Sequence, residues 1–230
     1  MRIAILVCLS LILSACMPRL EYETQAPEIK QEPFIVIDDP DDEIISIFKG
    51  AMSDGVLYES LIGEAGIEAG SSFYSFAVGK TIAEFNLPKS NKVFDSFLFD
   101  DRRLASIEWE ANIVKHFGKE DNFELNFLIF GRWHLSPFDH FVNLNFAFGD
   151  GLSYASKIPY YEDIRWPKSS QLLNNMTFEF AFEIPYLELQ DISELSAVLR
   201  LHHRSGVFGL FNGVHGASNV VALGLRARYF

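Results

Sequence analysis

Beyond residue 16 the sequence has no cysteine; Cys8 and Cys16 are the only two. A disulfide framework and a thiolate metal centre are therefore excluded for the mature part of the chain. Positive charge is also scarce, with 19 Lys and Arg against 31 Asp and Glu and a formal net charge of −12. That balance does not neutralise phosphate backbones, which excludes nucleic acid as a partner. Long hydrophobic runs are missing except at residues 3–15, where Arg2 precedes an apolar stretch too short to cross a bilayer as a helix. A charge, a short apolar core and small residues describe a secretory signal peptide over 1–15. Its end, Leu13-Ser14-Ala15-Cys16, fits a bacterial lipobox in which Cys16 is acylated and becomes the new N-terminus. An ordinary cleaved leader with a chance Cys is the alternative. Met17, rather than Asp, after that Cys points to the outer membrane.

Metal chemistry finds no footing. None of the six His has the i, i+4 or carboxylate spacing of a zinc site. The acidic stretches "GKEDN" and "DDPDD" lack the spacing of a calcium loop and read as solvated turns.

What the sequence has in abundance is aromatic residues: 22 Phe, 8 Tyr and 3 Trp. Residues 17–45 stand apart from this richness, being acidic and proline-rich without a sustained period, and read as an extended periplasmic tether. Residues 46–72 carry Gly50, Gly55, Gly63, Gly66 and Gly70 without a clean period, and read as an approach segment or plug. From 73 to 230 the pattern sharpens. In "FELNFLIFGRW", Phe123, Leu125, Phe127, Ile129 and Trp133 share one face while Glu124, Asn126 and Arg132 share the other. "ASIEWEANI", "FVNLNFAFGDGLSYAS" and "TFEFAFEI" repeat the division. Strict alternation of this length means strands with two chemically opposite faces, long enough to cross a bilayer at a tilt.

A large aromatic face opposite an ionised face predicts an all-β fold, an eight-stranded antiparallel transmembrane (outer-membrane) β-barrel. Strands are expected near 219–230, 195–208, 174–186, 141–156, 123–135, 104–117, 73–86 and 93–100; the alternative takes 56–66 as the first and 73–86 as the second. Glu108, Glu110, Glu179 and Glu183 with Arg132 and Arg200 are expected to form an interior network in a barrel too narrow to be a pore. Tyr154, Tyr160, Tyr161 and Trp166 suit an interfacial belt. The sequence ends at Phe230, and a terminal aromatic is the usual address read by the barrel assembly machinery. Phe230, however, shares parity with Arg226 and Arg228 rather than with the apolar row of Leu225, Ala227 and Tyr229, so a bulge or shifted end is expected. A soluble lipocalin-like lipoprotein is the rival fold, and would carry apolar residues inside and polar ones outside.

One alternating row ends in an unexpected way. In "LRLHHRSGVFGLF" (199–211), Leu199 and Leu201 are followed in frame by His203 and Ser205. Residues at i and i+2 are neighbours on one strand face, so the imidazole can lean onto the hydroxyl. That is the minimum for an activated serine attacking an ester. A pair on a lipid-facing wall suits a substrate that is itself a lipid.

His203-Arg204-Ser205, followed by "GASN" (216–219) and "LGLRARYF" (223–230), resembles the outer-membrane lipid A 3-O-deacylases of the PagL type. Weaker likeness runs back through "FGDGLSYASKIP" (148–159) and "LLNNMTFEFAFEIP" (172–185). The resemblance implies Ser205 as nucleophile, His203 as general base, and lipid A in lipopolysaccharide of the bacterial outer membrane as substrate. It also implies an acid about a dozen residues later, where this sequence has none; Asn219 is the residue placed to hold the imidazole instead. Gly206 stands where the family has an oxyanion-hole Asn. No cofactor is expected, since an ester is activated by hydrogen-bond donors alone. The alternative is a non-catalytic structural barrel of the same family. Neither reading fixes the oligomeric state.

Overall fold

The computed structural model describes residues 36–38, 40, 42–86, 103–138, 142–184 and 191–229. Cys16, the stretch read as a signal peptide, most of the stretch read as a tether, the candidate strand 93–100 and Phe230 lie outside them. A short piece, β1 (Val36–Asp38), precedes eight long strands: β2 (Glu43–Ser53), β3 (Ser71–Asn86), β4 (Arg103–Gly118), β5 (Phe123–Phe138), β6 (Val142–Ala155), β7 (Leu172–Glu183), β8 (Ile192–Ser205) and β9 (Ala217–Tyr229). Each long strand pairs antiparallel with its neighbours in sequence, and β9 pairs with β2 from Tyr229 opposite Glu43 to Asn219 opposite Ser53. The sheet thus closes on itself as an eight-stranded barrel and has no free edge. β1 extends the wall along the far end of β3, with Val36 opposite Asn86. The long strands run from 11 to 16 residues, enough for a tilted crossing of a bilayer.

Two expectations are corrected here. The first barrel strand is β2, which begins at Glu43 in the stretch read as tether and ends at Ser53, within the first part of the stretch read as approach segment. Its alternation is blurred because both rows are largely apolar. Ile45 and Ile47 face outward, while Ile44, Phe48 and Met52 face inward and are buried. Phe48 earns its inward place by stacking on the Arg200 guanidinium, 3.9 Å from its ring centroid. The stretch 56–66, the alternative first strand, instead contains helix α1 (Leu57–Ile62), which Gly63 ends with φ +76°.

Polarity is inverted relative to a soluble barrel, which removes the lipocalin-like alternative. The outward row of β5 (Phe123, Leu125, Phe127, Ile129, Trp133) is half-exposed, whereas Glu124, Asn126 and Arg132 are buried inside. Outward aromatics stack across strands, Trp109 on Phe127 and Trp133 on Phe146. A wall that is apolar outside and charged inside is the wall of a barrel that spans a bilayer. Among the described residues no helix is long and apolar enough to cross one.

The interior is a ladder of ion pairs. Glu108 accepts from Arg132 (3.1 Å), Arg226 (2.7 Å) and Arg228 (3.2 Å). Glu179 joins Arg132 to Arg200, and Arg200 reaches Glu110 at 2.6 Å. Glu194 adds a second carboxylate for Arg226, at 3.4 Å. The network expected from Glu108, Glu110, Glu179, Arg132 and Arg200 is therefore present, enlarged by Arg226, Arg228 and Glu194. Glu183 sits at the strand end and accepts from Asn143 at 2.7 Å. Arginines 226 and 228 face inward; β9 stays in register with β2 through Tyr229, and on its other side the pairing with β8 shifts between Ile192, opposite Tyr229, and Glu194, opposite Arg228.

The mouth at the β8 C-terminal end is closed by the loop between β6 and β7. Its helix α2 (Tyr160–Arg165) turns Tyr161 and Glu162 inward. Tyr161 is thus part of the core and not of an interfacial belt, whereas Tyr154, Tyr160 and Trp166 are exposed as expected. Glu162 receives Arg204 at 2.5 Å and Ser218 at 2.7 Å. Glu120, in the β4–β5 turn, accepts the N–H groups of Tyr160 and Tyr161 at 3.0 and 2.8 Å. Burial pushes its carboxyl up from the usual range, and those two N–H donors pull it partly back.

Candidate active site on the outer wall

Register places the site. Along β8 the inward residues Arg200, His202 and Arg204 alternate with outward Leu199, Leu201, His203 and Ser205, and all from Arg200 on are well buried. No bulge interrupts this stretch, in which Met176 and Asn219 lie opposite His203, and Asn174 and Ala217 opposite Ser205. His203 and Ser205 therefore share the outer face, about 7 Å apart along the strand.

Asn219 is where the missing acid was sought, and the fold brings it to the imidazole. Its Oδ1 lies 2.6 Å from His203 Nδ1, and its Nδ2 donates to the carbonyl of Gly55 at 2.9 Å. The second bond fixes the first. An amide whose nitrogen is committed to a carbonyl presents its oxygen to the ring, so Nδ1 must carry the proton and Nε2 is left with its lone pair. That is the tautomer a general base requires.

His203 faces outward yet is only 8% exposed, because the β2–β3 connection folds back over it. This connection is pinned by Asp54 N–H to Gly66 and Glu68 N–H to Met52, and α1 lies against β8 and β9. Glu59 caps the helix by accepting the Val56 N–H at 3.0 Å. Val56, Tyr58, Leu61 and Ile62 remain exposed. Beyond Ser205 the chain turns through residues with left-handed backbone, Val207 (φ +47°) and Phe208 (φ +55°). Such angles are costly for side chains of this kind. The turn that follows the serine leaves Phe208 95% and Leu210 78% exposed.

Ser205 Oγ has no hydrogen-bond partner among the described residues. The oxyanion candidate Gly206 is less free: its N–H donates to Gly216 O at 3.2 Å, so it would have to leave that bond to serve an oxyanion. Trp166 stands over the same turn, its indole N–H on Ala217 O at 2.9 Å and its ring filling the space a side chain at Gly216 would need.

Two polar residues escaped the reading of the sequence. Asn174, directly opposite Ser205, donates to Asp150 Oδ1 at 2.9 Å and to Gly151 O at 3.0 Å. Asp150 is opposite Met176, which is opposite His203. A carboxylate is thus present on the outer wall, but on the far side of the serine, two strands from the histidine. The signal was available: Asp150 and Asn174 interrupt the outward rows of β6 and β7 just as His203 interrupts that of β8.

No family model matches the chain, and no curated protein matches it. Among solved structures, the crystal structure of the outer membrane enzyme PagL is similar in shape. Its TM-score is 0.49 at 13% identity, over 81% of this chain and 98% of that one. With so little identity, what the site can do rests on its own residues.

Proposed function

We propose that this chain is an outer-membrane ester hydrolase that removes an acyl chain from lipid A. The observation that carries the reading is His203 Nδ1 held by Asn219 Oδ1 at 2.6 Å beside an unpartnered Ser205 hydroxyl on a bilayer-facing wall. Ser205 Oγ attacks the ester carbonyl and its proton passes to His203 Nε2. Collapse of the tetrahedral intermediate expels the sugar oxygen, which takes that proton, and water then releases the acid from Ser205 by the reverse route. Asn219 keeps the ring in register but offers the imidazolium a dipole where a carboxylate would offer a charge. Lipid A is the substrate class because the pair lies on the bilayer-facing side of the wall, beneath the β2–β3 connection, and the residues around it resemble those of lipid A deacylases. The test is mass spectrometry of lipid A from cells expressing the wild type or Ser205→Ala. Loss of one acyl chain in the wild type alone is expected; identical lipid A in both, with the barrel in place, would overturn the reading.

A further inference from the structure

The outer wall carries a second feature, five strands wide and beside the site. One cross-strand row runs Leu223, Lys49, Tyr74, Lys115, Phe123, each directly opposite the next. Below it, away from the mouth, lie Ile47, Phe76 and Ile113, and together they line an open apolar groove of about 570 Å³. Two cations thus sit at one end of a greasy channel, about 10 Å apart across two strand spacings. Lys115 is bound to Asp121 of the β4–β5 turn at 2.6 Å and lies 4.4 Å from the Phe123 ring centroid. Lys49 has only the Tyr74 ring, at 5.6 Å, and no carboxylate among the described residues. Beside an apolar channel, an ammonium without a counter-ion is costly unless a ligand supplies the anion.

We infer that this groove binds phosphorylated lipid A, acyl chains along Ile47, Phe76 and Ile113 and a phosphate between Lys49 and Lys115. The inference rests on the proposed substrate and adds where its headgroup is held. Charge and shape agree: the channel is long and apolar, and its only cations stand at the end where a headgroup leaves the hydrocarbon. Counting along β9 from Leu223 to Asn219, the lysine row starts roughly 15 Å from the His203–Ser205 pair. The groove is therefore a holding site beside the nucleophile, separate from it.

Binding is read without turnover. The full chain carrying Ser205→Ala, refolded in detergent, is titrated with bisphosphorylated lipid A, with the same lipid A stripped of phosphate, and with phosphatidylglycerol, and followed by native mass spectrometry. Preference for the bisphosphorylated form by about 10–30-fold is expected, lost in Lys49→Gln/Lys115→Gln and kept in Lys49→Arg/Lys115→Arg. Equal binding of the phosphorylated and stripped lipids, or a preference that survives the Gln pair, would overturn the inference. Equal binding of phosphatidylglycerol would overturn the commitment to lipid A, leaving a site for any anionic lipid. A preserved preference together with intact lipid A in cells would sink hydrolysis alone.

Discussion

Strand β8 carries polar side chains on both faces, and the two sets obey opposite rules. Inside, Arg204 satisfies four acceptors: Ser153 Oγ, Glu162, and the carbonyls of Ser170 and Gln171. Arg200 has Glu110 and Glu179, and His202 has Glu124 at 3.1 Å. Outside, one residue away in each direction, His203 has one side-chain partner and Ser205 has none. A polar group with its bonding capacity filled is architecture. One left with spare capacity on an apolar wall costs about 1–3 kcal/mol, which a purely structural strand avoids by placing Leu or Val there. The difference between the two faces of this strand is the feature the proposed hydrolysis would use.

The sharpest way to break this comparison is to remove the outer pair. Ser205→Ala, His203→Ala and the double variant are each expected to lower deacylation by a similar 10⁴–10⁶-fold (about), because a nucleophile and its base act as one unit. Ser205→Ala should unfold in urea no more readily than the wild type, since it removes an unpaired hydroxyl, whereas His203→Ala leaves Asn219 Oδ1 unpaired and should cost about 1–3 kcal/mol. Losses that multiply in the double variant would mean the two residues act separately. The inner set should behave in the reverse manner. Glu108→Ala leaves Arg132, Arg226 and Arg228 sharing one carboxylate fewer in a buried space. A cost of about 3–5 kcal/mol in urea unfolding is expected. A shift below about 1 kcal/mol would mean that water already solvates the ladder.

The outer wall can be probed with the charge the interior welcomes. Phe127→Arg places a guanidinium in the middle of the β5 outward row, where about 2–4 kcal/mol of destabilisation is expected in the same assay. Unchanged stability would show that this row does not face hydrocarbon. Inside, at Arg132, the same guanidinium is held by two carboxylates.

How much of this was legible in the sequence depends on the purity of the rows. β4 to β8 announce themselves because one face is largely polar and the other apolar. β2 does not, because Phe48 and Met52 point into the barrel, where an arginine and a patch of apolar side chains receive them. Tyr161 has the composition of a belt residue, and only the inward turn of α2 makes it core. His203 and Ser205 could be placed by parity alone, and the same parity, applied to β6 and β7, would have found Asp150 and Asn174. The contact between Asn219 and the Gly55 carbonyl spans 164 residues and has no local trace.

That last contact explains why an amide occupies the third position. Restoring the acid looks like an improvement, since a carboxylate stabilises an imidazolium better than an amide does. In this barrel Asn219 faces two groups of opposite demand: the Nδ1–H of His203 wants an acceptor, and the Gly55 carbonyl wants a donor. Only an amide answers both. Asn219→Asp would set a carboxylate oxygen against a carbonyl oxygen, releasing the β2–β3 connection that covers the histidine. The expected outcome is an activity lower by about tenfold, equivalent to about 1.4 kcal/mol, with faster proteolysis within residues 54–70. The Gly55 carbonyl shares its peptide plane with the Val56 N–H, so rotating it away would break that N–H's bond to the Glu59 carboxylate at 3.0 Å. A rate that rises in Asn219→Asp with residues 54–70 still protected would show instead that the missing charge, and not the clasp, limits the proposed hydrolysis.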